Sequence, residues 1–403
     1  MQRALALCLT LATGCAVAGT DDNDGFETAT GKADVGSVPA AGTWTKTLVS
    51  DSSMLWNGGP NNWGAGTSIA VRGNGEPVIA YYDAAYRCAN GGWGTYSPDS
   101  LMLANHDATT GWKRRIAACG PEWGYWPRMR VDDQDRTHVL IGGGWATGTQ
   151  RAFYMRLDPA GTRELGRSVD SGYMSSGALA MTLDDTGAPV ILSNGKLVAD
   201  NGTKTPIFTG STFNSFMELD ADGAQHVVAS TMIPEPNNTS TSVSRLRYAR
   251  RDTDGTVTIE LPRTAAVATP LGLVIDSAGQ PHILSWNTSA TPGGGELWHS
   301  TRTATGWVET LITSDAWKGS AAIAIDANDQ LLVVAPGRLY RLPAGATSWT
   351  STVVTQLSSM SYPSLAIAAD GTLHVAYYNV GPTMSNRSAR APIYHASFVP
   401  TGS

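Results

Sequence analysis

An all-β fold, a seven-bladed β-propeller with four antiparallel strands per blade, is what three features of this 403-residue sequence predict. With 44 Gly and 21 Pro, the chain is punctuated too often for long helices. A pattern of apolar strand, Asp/Gly/Asn turn and second strand returns seven times between residues 68 and 379. The last unit stops one strand short, and the globular part opens with a spare strand of the missing kind.

Composition narrows the partners before any element is placed. Charged residues make up 15% of the chain, against about 25% in typical domains. Thirteen Trp and 13 Tyr stand beside only 6 Phe, which suits an exported β-rich protein. The net charge of -6 gives no basic field, so nucleic acid and anionic membrane surfaces are excluded as natural partners. No run of about 18 apolar residues occurs beyond the N-terminus, so no membrane span is expected.

Residues 1–15, MQRALALCLTLATGC, place one Arg before an apolar run and then small residues, the layout of a secretory signal. The segment Leu11-Ala12-Thr13-Gly14-Cys15 resembles the lipobox of bacterial lipoproteins, which implies lipid attachment at Cys15. The alternative is an ordinary signal cleaved nearby; either way the protein is exported, to the bacterial cell envelope or the extracellular space. Membrane contact is then expected only through the lipid. Cys88 and Cys119 remain as an even pair suited to an oxidising compartment, and one disulfide is expected between them. Residues 16–42 are rich in Asp, Gly, Ala and Thr and read as a disordered tether; residues 43–403 form the propeller.

The strand pairs are 68–83, 129–143, 180–195, 217–230, 273–287, 322–337 and 364–379. Each is followed by a third strand, such as LMLANH at 101–106 or IYHASF at 393–398, and most by a fourth, such as GWVETLIT at 306–313. Four short strands cannot bury their faces alone, and a ring of such units solves this. TWTKTLVS at 43–50 matches the fourth-strand pattern and is expected to complete the last blade, removing an exposed edge. A closed ring of this kind is expected to be a monomer.

With the first strand innermost, connections between strands 2 and 3 and between blades emerge on one face, the top. The other, or bottom, face carries short turns such as Asn74-Gly75, Asp222-Gly223 and Asp254-Gly255. Top connections carry most aromatics outside the strands: Trp56, Trp63, Tyr86, Trp93, Tyr96, Trp123, Tyr125, Trp126, Trp145, Tyr173, Trp317 and Tyr362, with Trp286 and Tyr378 at strand ends. Indole faces stack on sugar C–H surfaces while polar neighbours bond hydroxyls, so a glycan or other extracellular polymer is the expected partner, over blades 1 and 2. The rival for these rings is mutual packing that stiffens long loops. Trp44, Trp112, Trp307 and Trp349 recur at the start of fourth strands and read as blade packing.

Catalysis on the same face is the main alternative, as a polysaccharide lyase or glycoside hydrolase. Asp83 and Glu122 would supply the acid/base pair, with Arg87 between them and Tyr82 as a phenol. Tyr81, Tyr377 and Tyr378 stand nearby in the pattern. A protein-interaction scaffold is the third reading. His138, His226, His282 and His374 share one position near the start of strand 2, which spreads them around the ring and favours a hydrogen-bonded structural role over metal ligation. The strings DDNDG (21–25), DDQD (132–135), DADG (220–223) and DTDG (252–255) lack the downstream Glu of an EF-hand and read as turns. No nucleophile elbow and no phosphate-binding loop after a strand is found, so neither a metal nor a cofactor is expected.

Units such as SLAIAADGTLHVAYYN and LVIDSAGQPHILSWN resemble the repeats of the sialidase-like, or BNR/Asp-box, superfamily of exported propellers, from Thr67 to the C-terminus. The resemblance implies a glycan-directed role. Fragments of the Asp-box remain at Asp107, Gly111 and Trp112 and at Gly306 and Trp307.

Overall fold

In the computed structural model the described residues are 35–56, 66–84, 98–121, 124–143, 151–171, 177–235, 238–263, 268–288, 295–316, 321–379 and 388–401. Seven four-stranded antiparallel sheets stand around an axis. Blade 1 comprises Thr67–Val71, Pro77–Asp83, Pro98–Asp107 and Gly111–Pro121, from the axis outward. Blade 2 runs Tyr125–Val131, Thr137–Gly143, Arg151–Leu157 and Arg163–Asp170, and blade 3 runs Leu179–Leu183, Pro189–Ser193, Lys196–Val198 and Lys204–Pro206. Blade 4 is built from Thr212–Leu219, Gln225–Glu235, Asn238–Arg251 and Val257–Glu260, and blade 5 from Thr269–Ile275, Pro281–Thr288, Gly295–Thr303 and Gly306–Thr313. Blade 6 has Ala322–Ile325, Leu331–Ala335, Arg338–Leu342 and Thr350–Val353.

Blade 7 takes Met360–Ile367, Leu373–Asn379 and Ile393–Pro400 from the C-terminus and Gly42–Ser50 from the N-terminus as its outer strand. The closing pair runs antiparallel from Gly42 opposite Pro400 to Ser50 opposite Ile393. Each innermost strand packs on the next, and that of blade 7 on that of blade 1.

Second strands sit between two neighbouring blades and are buried on both faces, as in Pro77–Asp83 and Thr137–Gly143. Outer strands face solvent; Thr350–Val353 is exposed throughout. Burial therefore concentrates in seven apolar clusters, one per interface between blades.

Two details depart from expectation. The segment ahead of the ring is docked from Val35 onward. Gly36 N–H donates to Ala368 O at 2.9 Å, and a Cβ at Gly36 would lie 2.3 Å from Ala369 O, so only glycine permits this approach. Val38, 3% exposed, inserts between blades 6 and 7. Its N–H donates to Asp326 Oδ2 at 2.9 Å, and its carbonyl accepts from Gln330 Nε2 at 2.9 Å and Arg341 Nη1 at 3.1 Å. The top connections are also uneven: blades 3 and 6 join strands 2 and 3 by tight turns at Asn194-Gly195 and Pro336-Gly337. Asn194 and Gly195 both have left-handed φ, 50° and 72°, the geometry a two-residue hairpin demands.

Candidate functional site

The recurring histidines sit at the bottom end of the second strands. In blades 2, 4 and 5 the Asp six residues before the His follows the first strand and ties the turn. Asp220 Oδ1 accepts the N–H groups of Asp222 and Ala224 at 3.1 and 2.8 Å, and Oδ2 accepts His226 Nε2–H at 3.0 Å. That bond fixes the tautomer, leaving Nδ1 to accept the Tyr248 hydroxyl at 2.7 Å. Trp307 of the next blade then packs edge-on against Tyr248, centroids 5.1 Å apart. Asp132, His138 and Tyr154 repeat the chain in blade 2. In blade 5 Asp276, His282 and His299 continue to Trp349 of blade 6. Trp307, Trp349 and Trp112 thus carry the chains of blades 4, 5 and 7 to the next blade, that of blade 2 ties its own strands, and the histidines are hydrogen-bonded within the fold. Among the described residues no group of three His, Cys, Asp or Glu could hold a metal ion.

Blade 7 lacks one member. Ala368 stands where Asp is expected, six residues before His374, and His374 Nε2 is buried without a hydrogen-bond partner while Nδ1 faces His395 Nε2 at 3.0 Å. The turn around Ala368 has the same backbone bonds as that around Asp220. Ala368→Asp is expected to supply the acceptor and stabilise the fold by about 1 kcal/mol, with a raised unfolding midpoint in calorimetry. A lowered midpoint would show that the site cannot take the carboxylate.

Two bottom clefts, of 560 Å³ between blades 4 and 5 and 550 Å³ between blades 6 and 7, are candidates by shape. The first is lined by groups already spent on one another: Asp220 on His226, and Glu260 on Arg302 at 2.8 and 2.9 Å. The second is walled by Ser37, Val38 and Pro39 of the docked segment.

At the top, blades 7, 1 and 2 bring together Tyr81, Tyr82, Asp83, Tyr125, Trp126, Tyr362 and Tyr378. Most are buried. Asp83 and Tyr82 are 0% exposed, so neither catalytic candidate offers its group at the surface. Tyr378 is equally buried and donates to Tyr82 O at 2.7 Å. Burial, then the Asp83 charge, pushes its phenol well above the ordinary range, and the same two causes raise Tyr81 to about 12. Such phenols are poor bases at neutral pH. Tyr125, 4% exposed, packs 4.9 Å from Tyr82. Trp286 is buried too, and its indole N–H donates to Ala316 O at 3.2 Å, so it packs blade 5 on blade 6 rather than forming an open platform.

Trp126 and Tyr362 differ: each is half-buried, at the top of an innermost strand beside blade 1. Each has a left-handed backbone, φ 47° and 50°, within a bulge. A bulky residue held there costs about 1–2 kcal/mol, and such strain gathers at functional sites. Asn214 holds φ 47° in the equivalent bulge of blade 4. The bulge of blade 7 is pinned by Thr67 Oγ1, 2.8 Å from Tyr362 O and 2.9 Å from Ser364 Oγ.

Below this mouth the axis holds charges that the repeat pattern did not single out. Arg128 and Arg130 come from blade 2 and Glu218 from blade 4, with Arg130 Nη2 2.5 Å from Glu218 Oε1. The available signal was an aromatic-Pro pair opening two innermost strands, Trp126-Pro127 and Tyr362-Pro363. Of the other expected site residues, Trp63, Arg87, Cys88, Trp93, Glu122, Trp123, Trp145 and Trp317 lie outside the described residues. Trp56 closes a short ribbon, Met54–Trp56 paired with Ser388–Arg390, that adds to the top beside blade 7.

Neither a family model nor a curated protein matches the chain. Solved structures do. The chain is similar to a protein of unknown function from Dyadobacter fermentans, at 13% identity and TM-score 0.50, covering 88% of this chain and 99% of that one. It is similar to an α-L-arabinofuranosidase of Fusarium graminearum, at 9% identity and TM-score 0.53, covering 88% and 97%. An α-L-arabinanase of Penicillium chrysogenum complexed with arabinobiose gives 9% identity and TM-score 0.51, covering 87% and 98%. At these identities the likeness is one of fold.

Proposed function

We propose that the protein is an exported propeller that binds a carbohydrate on its top face, over blades 7, 1 and 2. The observation that carries this reading is the pair Trp126 and Tyr362, aromatic side chains left partly open at the axial mouth on backbone that favours glycine. Both rings pack on the cluster between blades 7 and 1, yet each keeps part of its surface open on strained backbone, which suits a stacking platform. An α-L-arabinofuranosidase and an α-L-arabinanase share this fold, which supports a sugar ligand. Complete burial of Asp83 and Tyr82 favours binding over catalysis through those groups.

The same reading takes residues 1–15 as an export signal, with lipidation at Cys15 or simple cleavage. Cys119, which is disulfide-bonded, is taken to pair with Cys88. Mass spectrometry of the mature chain tests both.

Trp126→Gly and Tyr362→Gly remove the rings while suiting the backbone. Each variant is expected to keep the wild-type unfolding midpoint within a few degrees and to lose at least tenfold in retention on a glycan array. Unchanged retention by the folded double variant would remove the lectin reading. Sugar release from a polysaccharide panel would move the assignment to catalysis.

A further inference from the structure

The axial charges do not balance. Arg130 is matched by Glu218, whose other oxygen lies 3.5 Å from Thr182 Oγ1. Arg128 has no carboxylate partner among the described residues. Its Nε donates to Leu179 O at 3.1 Å and its Nη2 to Ser215 O at 3.3 Å, and the guanidinium lies 4.7 Å over the Phe216 ring. Blades 3 and 4 thus fix the plane of a side chain from blade 2, and neither bond uses Nη1. Carbonyl groups and a ring face orient a cation without cancelling its charge. Burial and the neighbouring Arg130 lower the Arg128 pKa to about 10, which leaves it charged at neutral pH. An enclosed, rigid guanidinium with like charge beside it is stabilised by an incoming anion, and its planar fork matches carboxylate and sulfate oxygens.

Arg128 is also two residues along the innermost strand of blade 2 from Trp126. We propose that the axial mouth is an anion site and that Arg128 holds the carboxylate or sulfate group of an acidic sugar. The proposal rests on the carbohydrate reading of the top face and adds to it the chemical class of the ligand. On this reading an acidic glycan supplies the counter-charge that Arg128 lacks among the described residues, and a neutral glycan leaves it unmet.

Isothermal titration on the full chain compares four probes: an oligogalacturonate, its methyl ester of equal length, a sulfated galactan oligosaccharide and inorganic sulfate. At least one acidic oligosaccharide is expected to bind ten times or more tightly than the methyl ester, with the advantage shrinking as salt rises. Arg128→Gln is expected to erase that advantage, so that the acid binds no more tightly than its methyl ester. If Arg128→Gln fails to fold, the comparison of acid with ester on the wild type decides alone. Equal affinity for acid and ester overturns the proposal, as does inorganic sulfate binding as tightly as the acidic sugars. Absence of binding by every glycan, neutral ones included, would overturn the carbohydrate reading itself.

Discussion

Between pH 7 and pH 4 the protein is expected to lose stability steeply. Six imidazoles, His138, His226, His282, His299, His374 and His395, are held below the ordinary value of 6.5, in every case with burial as the largest cause. His374 falls to about 4 and His299 and His395 to about 3. A lowered folded pKa means that the unfolded chain binds more protons below 6.5. The stability these groups contribute is complete above that pH and drains away as pH falls toward the folded values. Each adds a slope of up to about 1.4 kcal/mol per pH unit, so several together rival a total stability of about 5–15 kcal/mol. Asp132 and Asp220, whose carboxyls are held low by their His and Arg partners, add a further loss at more acid pH. Urea unfolding at pH 7.5, 6.0 and 5.0 reads this directly. Coincident midpoints at the three pH values would refute the assignment of these histidines as buried and neutral.

Removing Asp220 is expected to have the largest effect of any single bottom-face substitution. Asp220→Ala deletes two bonds to turn N–H groups and leaves His226 Nε2, on a side chain 1% exposed, without its acceptor. Two turn bonds of about 0.5–1.5 kcal/mol each and an unsatisfied buried group of about 1–3 kcal/mol sum to roughly 2–6 kcal/mol. Asp222→Ala in the same turn, at an exposed position, should stay within about 0.5 kcal/mol and serves as the control. Calorimetric midpoints that fall equally for the two variants would show that the strut from Asp220 to Trp307 contributes little.

Much of this architecture was legible because its signals are local. The DADG turn, His226 six residues after Asp220 and Trp307 at a strand start are each visible within a short window, and the structure joins them into one chain of contacts. The closing strand was equally readable, since TWTKTLVS matches other fourth strands and pairs with the strand that lacks one. The docking of Val38 was hidden, because two valines among small and polar residues carry no strand periodicity. Its N–H uses Asp326 in blade 6, where Leu332 replaces the histidine that elsewhere takes that oxygen.

Exposure was the feature least readable in the candidate site. Asp83, Tyr82, Tyr125, Trp286 and Tyr378 have residue types suited to sugar binding or catalysis, yet their strand ends are sandwiched between blades and are covered. Trp126 escapes because a bulge turns it out of the sheet, and a bulge has no reliable mark in one sequence.

By itself the sequence determined the seven-unit ring, the order of strands and the structural work of the repeated His, Asp and Trp residues. Six blades pair segments adjacent along the chain, the seventh is closed by a strand of recognisable pattern, and the Asp–His turn returns in blades 2, 4 and 5. Only the tertiary structure decided what meets at the axis. Arg128 and Ser215 are 87 residues apart, and Arg130 and Glu218 are 88 apart. Closure places one strand from every blade around a common channel, so its contents depend on side chains far apart in sequence whose approach no local pattern encodes.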